Sequence, residues 1–264
     1  MAYTTIDDPS QYFQVALWTG SSGTDTITFD GNSDLQLDFL WTKCRSNGHS
    51  HALMDTSRIT SGDYLPLFAD TNDQEQTFYD SELQSITSDG FTVGTQPHAG
   101  GDGKTYVGWA WKANGGTTAS NTDGSITSTV QANTTAGFSI VSYSGNGVNG
   151  ATVGHGLSAQ PEIIIIKRRN VNASGGGSNW PIRSTLLTAQ QVIYLDLTAS
   201  AGNSTTMFNN TYPNTTTFTI GDNEAVNAYQ TNHSFTGTYI SYCFKSIQGY
   251  SKFGSYKGNG NADG

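Results

Sequence analysis

The residues best suited to chemistry gather between positions 49 and 82. His49-Ser50-His51, followed by Asp55, places two imidazoles at alternate positions. On a strand alternate residues share a face, and two such rings could ligate a metal. The preceding Ser46, Asn47 and Gly48 mark a loop instead. Asp70-Thr71-Asn72-Asp73-Gln74-Glu75 opens like a calcium loop, but Glu75 stands at the sixth position and Ser81 at the twelfth. An EF-hand needs Gly and Glu there, so that reading fails. Glycoside hydrolysis needs two carboxylates about 5–10 Å apart across a sugar site. Asp55, Asp70, Asp73, Asp80 and Glu82 supply candidates, and no spacing pairs them. There is no Gly-x-Ser-x-Gly elbow. Gly100-Gly101-Asp102-Gly103 reads as a hairpin tip, with no helix after it to hold a phosphate. The expectation is a protein with no catalytic residue, no cofactor and no metal. Tyr79, Tyr212 and Tyr229 sit in polar, loop-like stretches and are the candidate surface aromatics for stacking on a glycan.

Composition narrows the partners. The chain has 264 residues, 12% of them charged, with a formal net charge of −9. Average soluble proteins carry roughly 25% charged residues. Twelve basic against twenty-one acidic side chains is the wrong sign for sequence-independent nucleic-acid binding. Lys167-Arg168-Arg169 is the most basic stretch and reads as a solvated strand end. No apolar run is long enough to insert in a membrane. Cys44 and Cys243 form neither a disulfide framework nor a C-x-x-C site. The start has no basic and apolar secretory pattern, so synthesis and folding in a reducing cytoplasm are expected.

The elements that must position any site are repeated. Gln14-Val15-Ala16-Leu17-Trp18-Thr19-Gly20 corresponds to Ser139-Ile140-Val141-Ser142-Tyr143-Ser144-Gly145. Phe39 to Lys43 corresponds to Ile163 to Lys167, Phe91-Thr92-Val93-Gly94 to Phe218-Thr219-Ile220-Gly221, and Thr105 to Lys112 to Thr238 to Lys245. Order is kept along the chain. Tyr106 to Lys112 alternates bulky Val107, Trp109 and Trp111 with Tyr106, Gly108 and Ala110. That pattern predicts a central strand whose bulky face lies in the core and whose small face is closely covered. Cys243 aligns with Ala110 and reads as a small buried filler. Ile163 to Ile166 predicts a strand buried on both faces. Further strands are expected at 64–68, 125–130, 192–197 and 216–220. The fold class is therefore all-β, with two tandem β-sandwich domains. Residues 1–115 form the first and 116–249 the second. Residues 250–264 form a connector and the opening strand of a third repeat, because Ser255-Tyr256-Lys257-Gly258-Asn259-Gly260 echoes Ser142-Tyr143-Ser144-Gly145-Asn146-Gly147. On this reading the chain is a piece of a longer protein.

Several blocks together resemble a known family. They are Gly137-Phe138-Ser139-Ile140-Val141-Ser142-Tyr143, Gly154-His155-Gly156-Leu157, Pro161-Glu162-Ile163-Ile164-Ile165-Ile166-Lys167 and Gly249-Tyr250-Ser251-Lys252-Phe253-Gly254-Ser255-Tyr256. They resemble the repeated β domain of tail-fibre or virion structural proteins of tailed phages, especially marine and cyanobacterial ones. The resemblance implies a jelly-roll or concanavalin-like sandwich, a virion location in the tail or a fibre appendage, and a homotrimer. Its partners would be other virion proteins and a host surface glycan or protein. The expected function is a non-catalytic tail-fibre subunit that displays loops for host attachment. The alternatives are a capsid or neck decoration protein, and a polysaccharide-degrading tailspike.

Overall fold

A computed structural model describes residues 4–76, 82–172, 175–229 and 235–261. In the first part of the chain a large antiparallel sheet takes shape from β1 (Phe13–Thr19), with β2 (Asp25–Thr28) turning away from it. β3 (Phe39–Cys44), β4 (Ala52–Asp55), the short β5 (Ile59–Thr60) and β6 (Asp63–Tyr64), and β7 (Leu67–Phe68) follow. β8 (Leu83–Thr87), β9 (Gly90–Val93) and β10 (Thr105–Trp111) complete this half. The large sheet runs β1-β10-β3-β4-β7, and the smaller one β2-β9-β8.

The second half repeats the arrangement. Its strands are β11 (Ala119–Asn121), β12 (Ser128–Asn133), β13 (Phe138–Ser144), β14 (Ala151–Gly154) and β15 (Ile163–Arg168). β16 (Pro181–Ser184), β17 (Gln191–Tyr194), β18 (Gly202–Asn203), β19 (Thr217–Ile220) and β20 (Thr238–Phe244) come after them. Two single-turn helices, α1 (Thr205–Phe208) and α2 (Glu224–Asn227), interrupt the late loops. The large sheet runs β11-β12-β13-β20-β15-β16-β17-β18, and β14 pairs with β19. The segment β13-β20-β15-β16 therefore has the same order as β1-β10-β3-β4. In the second half β11 and β12 extend the sheet beyond β13.

Strand alternation divides the apolar side chains among three cores. Leu40, Met54, Phe91, Val93 and Ala110 fill the space between the two sheets of the first half. Val141, Ile164, Ile166, Phe218, Ile220 and Cys243 do the same in the second. The opposite faces of the two large sheets meet each other. Phe39, Leu53 and Leu67 pack there against Ile140, Ile165, Ile182, Ile240, Tyr242 and Trp180. Four β-branched residues in a row make β15 a strong strand former, and this seam is why it is buried on both faces. The protein is thus an all-β sandwich structure layered small sheet, large sheet, large sheet, small sheet.

Three strand expectations need correction. In β10 the small face, Tyr106, Gly108 and Ala110, is the one in the sandwich core, while Val107, Trp109 and Trp111 remain half-buried on the seam side. Small residues face inward because Trp18 and Leu40 lie against Gly108. The strand expected at 125–130 begins at Ser128, and that at 64–68 is split between β6 and β7. In the connector, Ser251 makes one bridge with Ile247, and residues 252–261 carry no strand. The sequence counterpart β13 has β12 and β20 as hydrogen-bonded neighbours.

Candidate functional site

The structure disperses the residues that the sequence offers for chemistry. Asp55 is buried, and its Oδ2 accepts from Arg58 Nε at 2.6 Å and from Tyr242 Oη at 2.7 Å. It cannot serve a site with His49 and His51. Asp70 Oδ1 accepts the backbone N–H of His51 at 3.0 Å, and Asp73 accepts from the Thr71 hydroxyl. Glu75 bridges Arg58 at 2.5 Å and Arg169 at 2.9 Å. Glu82 is buried against Nδ1 of His98 at 2.5 Å, and the His98 ring lies 5.8 Å from that of His49. Among the described residues no group of three or more His, Cys, Asp or Glu could hold a metal. Asp80 and Tyr79 lie outside the described residues. Tyr212 is exposed and donates its hydroxyl to Leu187 O at 2.7 Å. Tyr229 is also exposed.

One network of buried charge crosses the seam between the halves. Arg58 is fully enclosed and also donates to the carbonyls of Leu65 and Leu53. Through Glu75 it reaches Arg169, and through Asp55 it reaches Tyr242. Gln131 Nε2 donates to Thr56 and Ser57 across the same boundary. Trp180 Nε1 donates back to Phe68 O and Thr71 O. The basic stretch is therefore not the solvated strand end that the sequence suggests. Lys167 and Arg168 are fully buried. Lys167 Nζ donates to Ser178 O at 2.6 Å and lies over the Trp180 ring, and burial lowers its pKa to about 8. Arg168 pairs with Glu224 at 3.4 Å. The cause is partners far off in sequence, chiefly Glu75, Trp180 and Glu224. Burying unpaired charge is costly, so these partners are obligatory.

Each half also pins one loop in the same way. Trp18 stacks on Tyr106 with ring centroids 5.5 Å apart, and Tyr143 stacks on Tyr239 at 5.0 Å. The Tyr106 hydroxyl donates to Pro97 O and accepts from Gly101 N. The Tyr239 hydroxyl donates to Glu224 O and accepts from Ala228 N. The loop comes so close that a Cβ at Gly20 would lie 2.4 Å from Gly101 O, and one at Gly145 2.4 Å from Ala228 O. Only glycine fits there. Acids before β3 and β15 anchor the chain just beyond the last strand of each half. Asp38 accepts from the N–H groups of Ala113, Gly115 and Gly116, and Glu162 accepts from Ser246 N.

Two clefts open near the seam. One, of about 460 Å³, is walled by aromatic rings from both halves and by the connector. Trp41 and Trp111 come from the first large sheet, Phe138 and Phe244 from the second, and Tyr250 and Phe253 from the connector. The other, of about 220 Å³, is polar and lined by Asn72, Asn172, Asn179 and Asn223 with Tyr194 and Glu224. Asn172 is held in place by Gly176 N and Gly177 O, and Asn223 by Ala225 N. Neither Tyr212 nor Tyr229 lines either cleft. Sequence reasoning assigns Trp111 and Phe244 to strands and misses both clefts. The aromatic run Tyr250-Ser251-Lys252-Phe253 is the one local signal that could have pointed to the first. No helix among the described residues is long and apolar enough to cross a membrane.

A family model described as "Domain of unknown function (DUF7483)" matches residues 8–264. No curated protein and no solved structure matches the chain.

Proposed function

The chain belongs to the family described as domain of unknown function (DUF7483), and we propose that it is a non-catalytic virion structural protein of a tailed phage, a tail-fibre subunit that displays its loops for host attachment. The observation that carries this reading is the fate of the acids. Asp55, Glu75 and Glu82 are turned inward onto Arg58, Arg169 and His98. Their charge holds two sheets together instead of facing a substrate. Glycoside hydrolysis would need two carboxylates across an open sugar site, and among the described residues Glu224 is the one carboxylate lining the polar cleft.

Attachment then works by repetition. Copies around a trimer axis, and along a fibre, sum weak contacts through effective concentration. The polar cleft and the exposed rings of Tyr212 and Tyr229 are the surfaces assigned to receptor contact. Amide side chains both donate and accept, which matches sugar hydroxyls. Purified protein incubated with host cells is expected to bind them. Incubated with their extracted surface polysaccharide, it releases no reducing ends. Release of reducing ends overturns this reading in favour of a polysaccharide-degrading spike.

A further inference from the structure

The aromatic cleft has features that packing between the halves does not use. Its walls are fixed by ring contacts. Phe13 lies 4.8 Å from Trp111, Phe138 4.9 Å from Phe244, and Phe244 6.0 Å from Phe253. Rings held this firmly cannot collapse into the space, so the wall atoms facing it lose their dispersion partners. An open apolar cleft of this kind gains from a ligand that covers its apolar walls and removes them from water. The volume of about 460 Å³ lies within the range of small-molecule sites.

The polar groups at the same place are specific. The buried Nε1 of Trp41 has no acceptor. A buried donor left without a partner costs about 1–3 kcal/mol, and in a native structure it needs an explanation. Lys245 and Lys252 also line the cleft, and neither is in an ion pair among the described residues. No acidic residue among those described lines it. In a chain of net charge −9, a cleft edged by these amines alone is a local reversal of sign.

We infer that the cleft is a binding site for an anionic amphiphile, an acyl or aryl carboxylate. Its apolar body lies among Trp41, Trp111, Phe244 and Phe253, and its head group accepts from the indole N–H and the two lysines. The site needs both halves and the connector at once. A neutral hydrocarbon would leave the indole and the amines unpartnered, and a cationic amphiphile would be repelled by them.

Decanoate and decyltrimethylammonium are the probes, both below their micellar concentrations, titrated into the full chain by calorimetry and by nitrogen-15 spectra of the tryptophan indoles. One decanoate per chain is expected to bind saturably and to move the indole resonance of Trp41. Decyltrimethylammonium binds at least about tenfold more weakly, as loss of a charge-assisted contact implies. The double variant Lys245→Glu, Lys252→Glu, at one half-buried and one exposed position, reverses this preference. Trp41→Phe weakens decanoate binding without lowering the thermal midpoint. Absence of saturable binding to the wild type, equal binding of both charges, or movement of the Trp180 indole in place of Trp41 overturns the inference.

Discussion

Arg58 is the residue on which the largest single effect is expected. It is enclosed completely and satisfies Asp55, Glu75 and two carbonyls at once. Arg58→Ala leaves two acids buried without this partner, and should cost about 3–5 kcal/mol in urea unfolding. Tyr242→Phe, which removes one hydrogen bond to Asp55, should cost only about 1–3 kcal/mol. Titration of Glu75 adds a pH signature. Burial raises its pKa, but Arg58 and Arg169 outweigh burial and hold it below its ordinary value of 4.5. A carboxylate with a depressed folded-state pKa contributes stability above its unfolded pKa and loses it as pH falls through the folded one. Stability measured by urea midpoint should therefore decline below pH 4.5, and more steeply in the wild type than in Glu75→Gln. Lys167 works in the opposite region. Burial brings it from 10.5 to about 8, so the unfolded chain binds the extra proton between those values. Wild-type stability should gain from this group as pH rises through that window, and Lys167→Met should lack the gain. None of this was legible in Lys167-Arg168-Arg169, because a basic triplet at a strand end does not disclose Trp180 or Glu75.

At the scale of elements, the repeat was legible and its orientation was not. Matched blocks in the sequence became matched strand pairs, with Trp18 opposite Tyr106 and Tyr143 opposite Tyr239. Alternation along β10 identified two faces correctly but could not say which lay inward. A sheet sandwiched between another sheet and a second copy of itself has two apolar faces, and sequence alone cannot rank them. The stacked tyrosines yield a prediction common to both halves. Tyr239→Phe leaves Ala228 N and Glu224 O without their partner, and Tyr106→Phe does the same to Gly101 N and Pro97 O. Each should cost about 1–3 kcal/mol. Hydrogen exchange should quicken at Ala228 in the first variant and at Gly101 in the second. An equal change at both sites in either variant would contradict independent loop clamps.

For the whole molecule, the seam decides behaviour. Phe39, Leu53 and Leu67 would be exposed if the second half were absent. Large exposed apolar patches drive association. Residues 1–115 alone should therefore elute as aggregate in size-exclusion chromatography, whereas the full chain should unfold in one calorimetric transition. Two resolved transitions would show that the halves stand independently. The clefts at this seam were hidden from sequence reasoning, because their walls come from segments up to 240 positions apart, Phe13 and Phe253 among them.

The proposed function turns on where in a virion this protein sits. Gold-labelled antibody against this protein, applied to intact phage particles in the electron microscope, tests the tail-fibre assignment most directly. Label on the tail or its fibres is the expected result. Label confined to the capsid shell or neck would contradict the assignment and support the decoration reading.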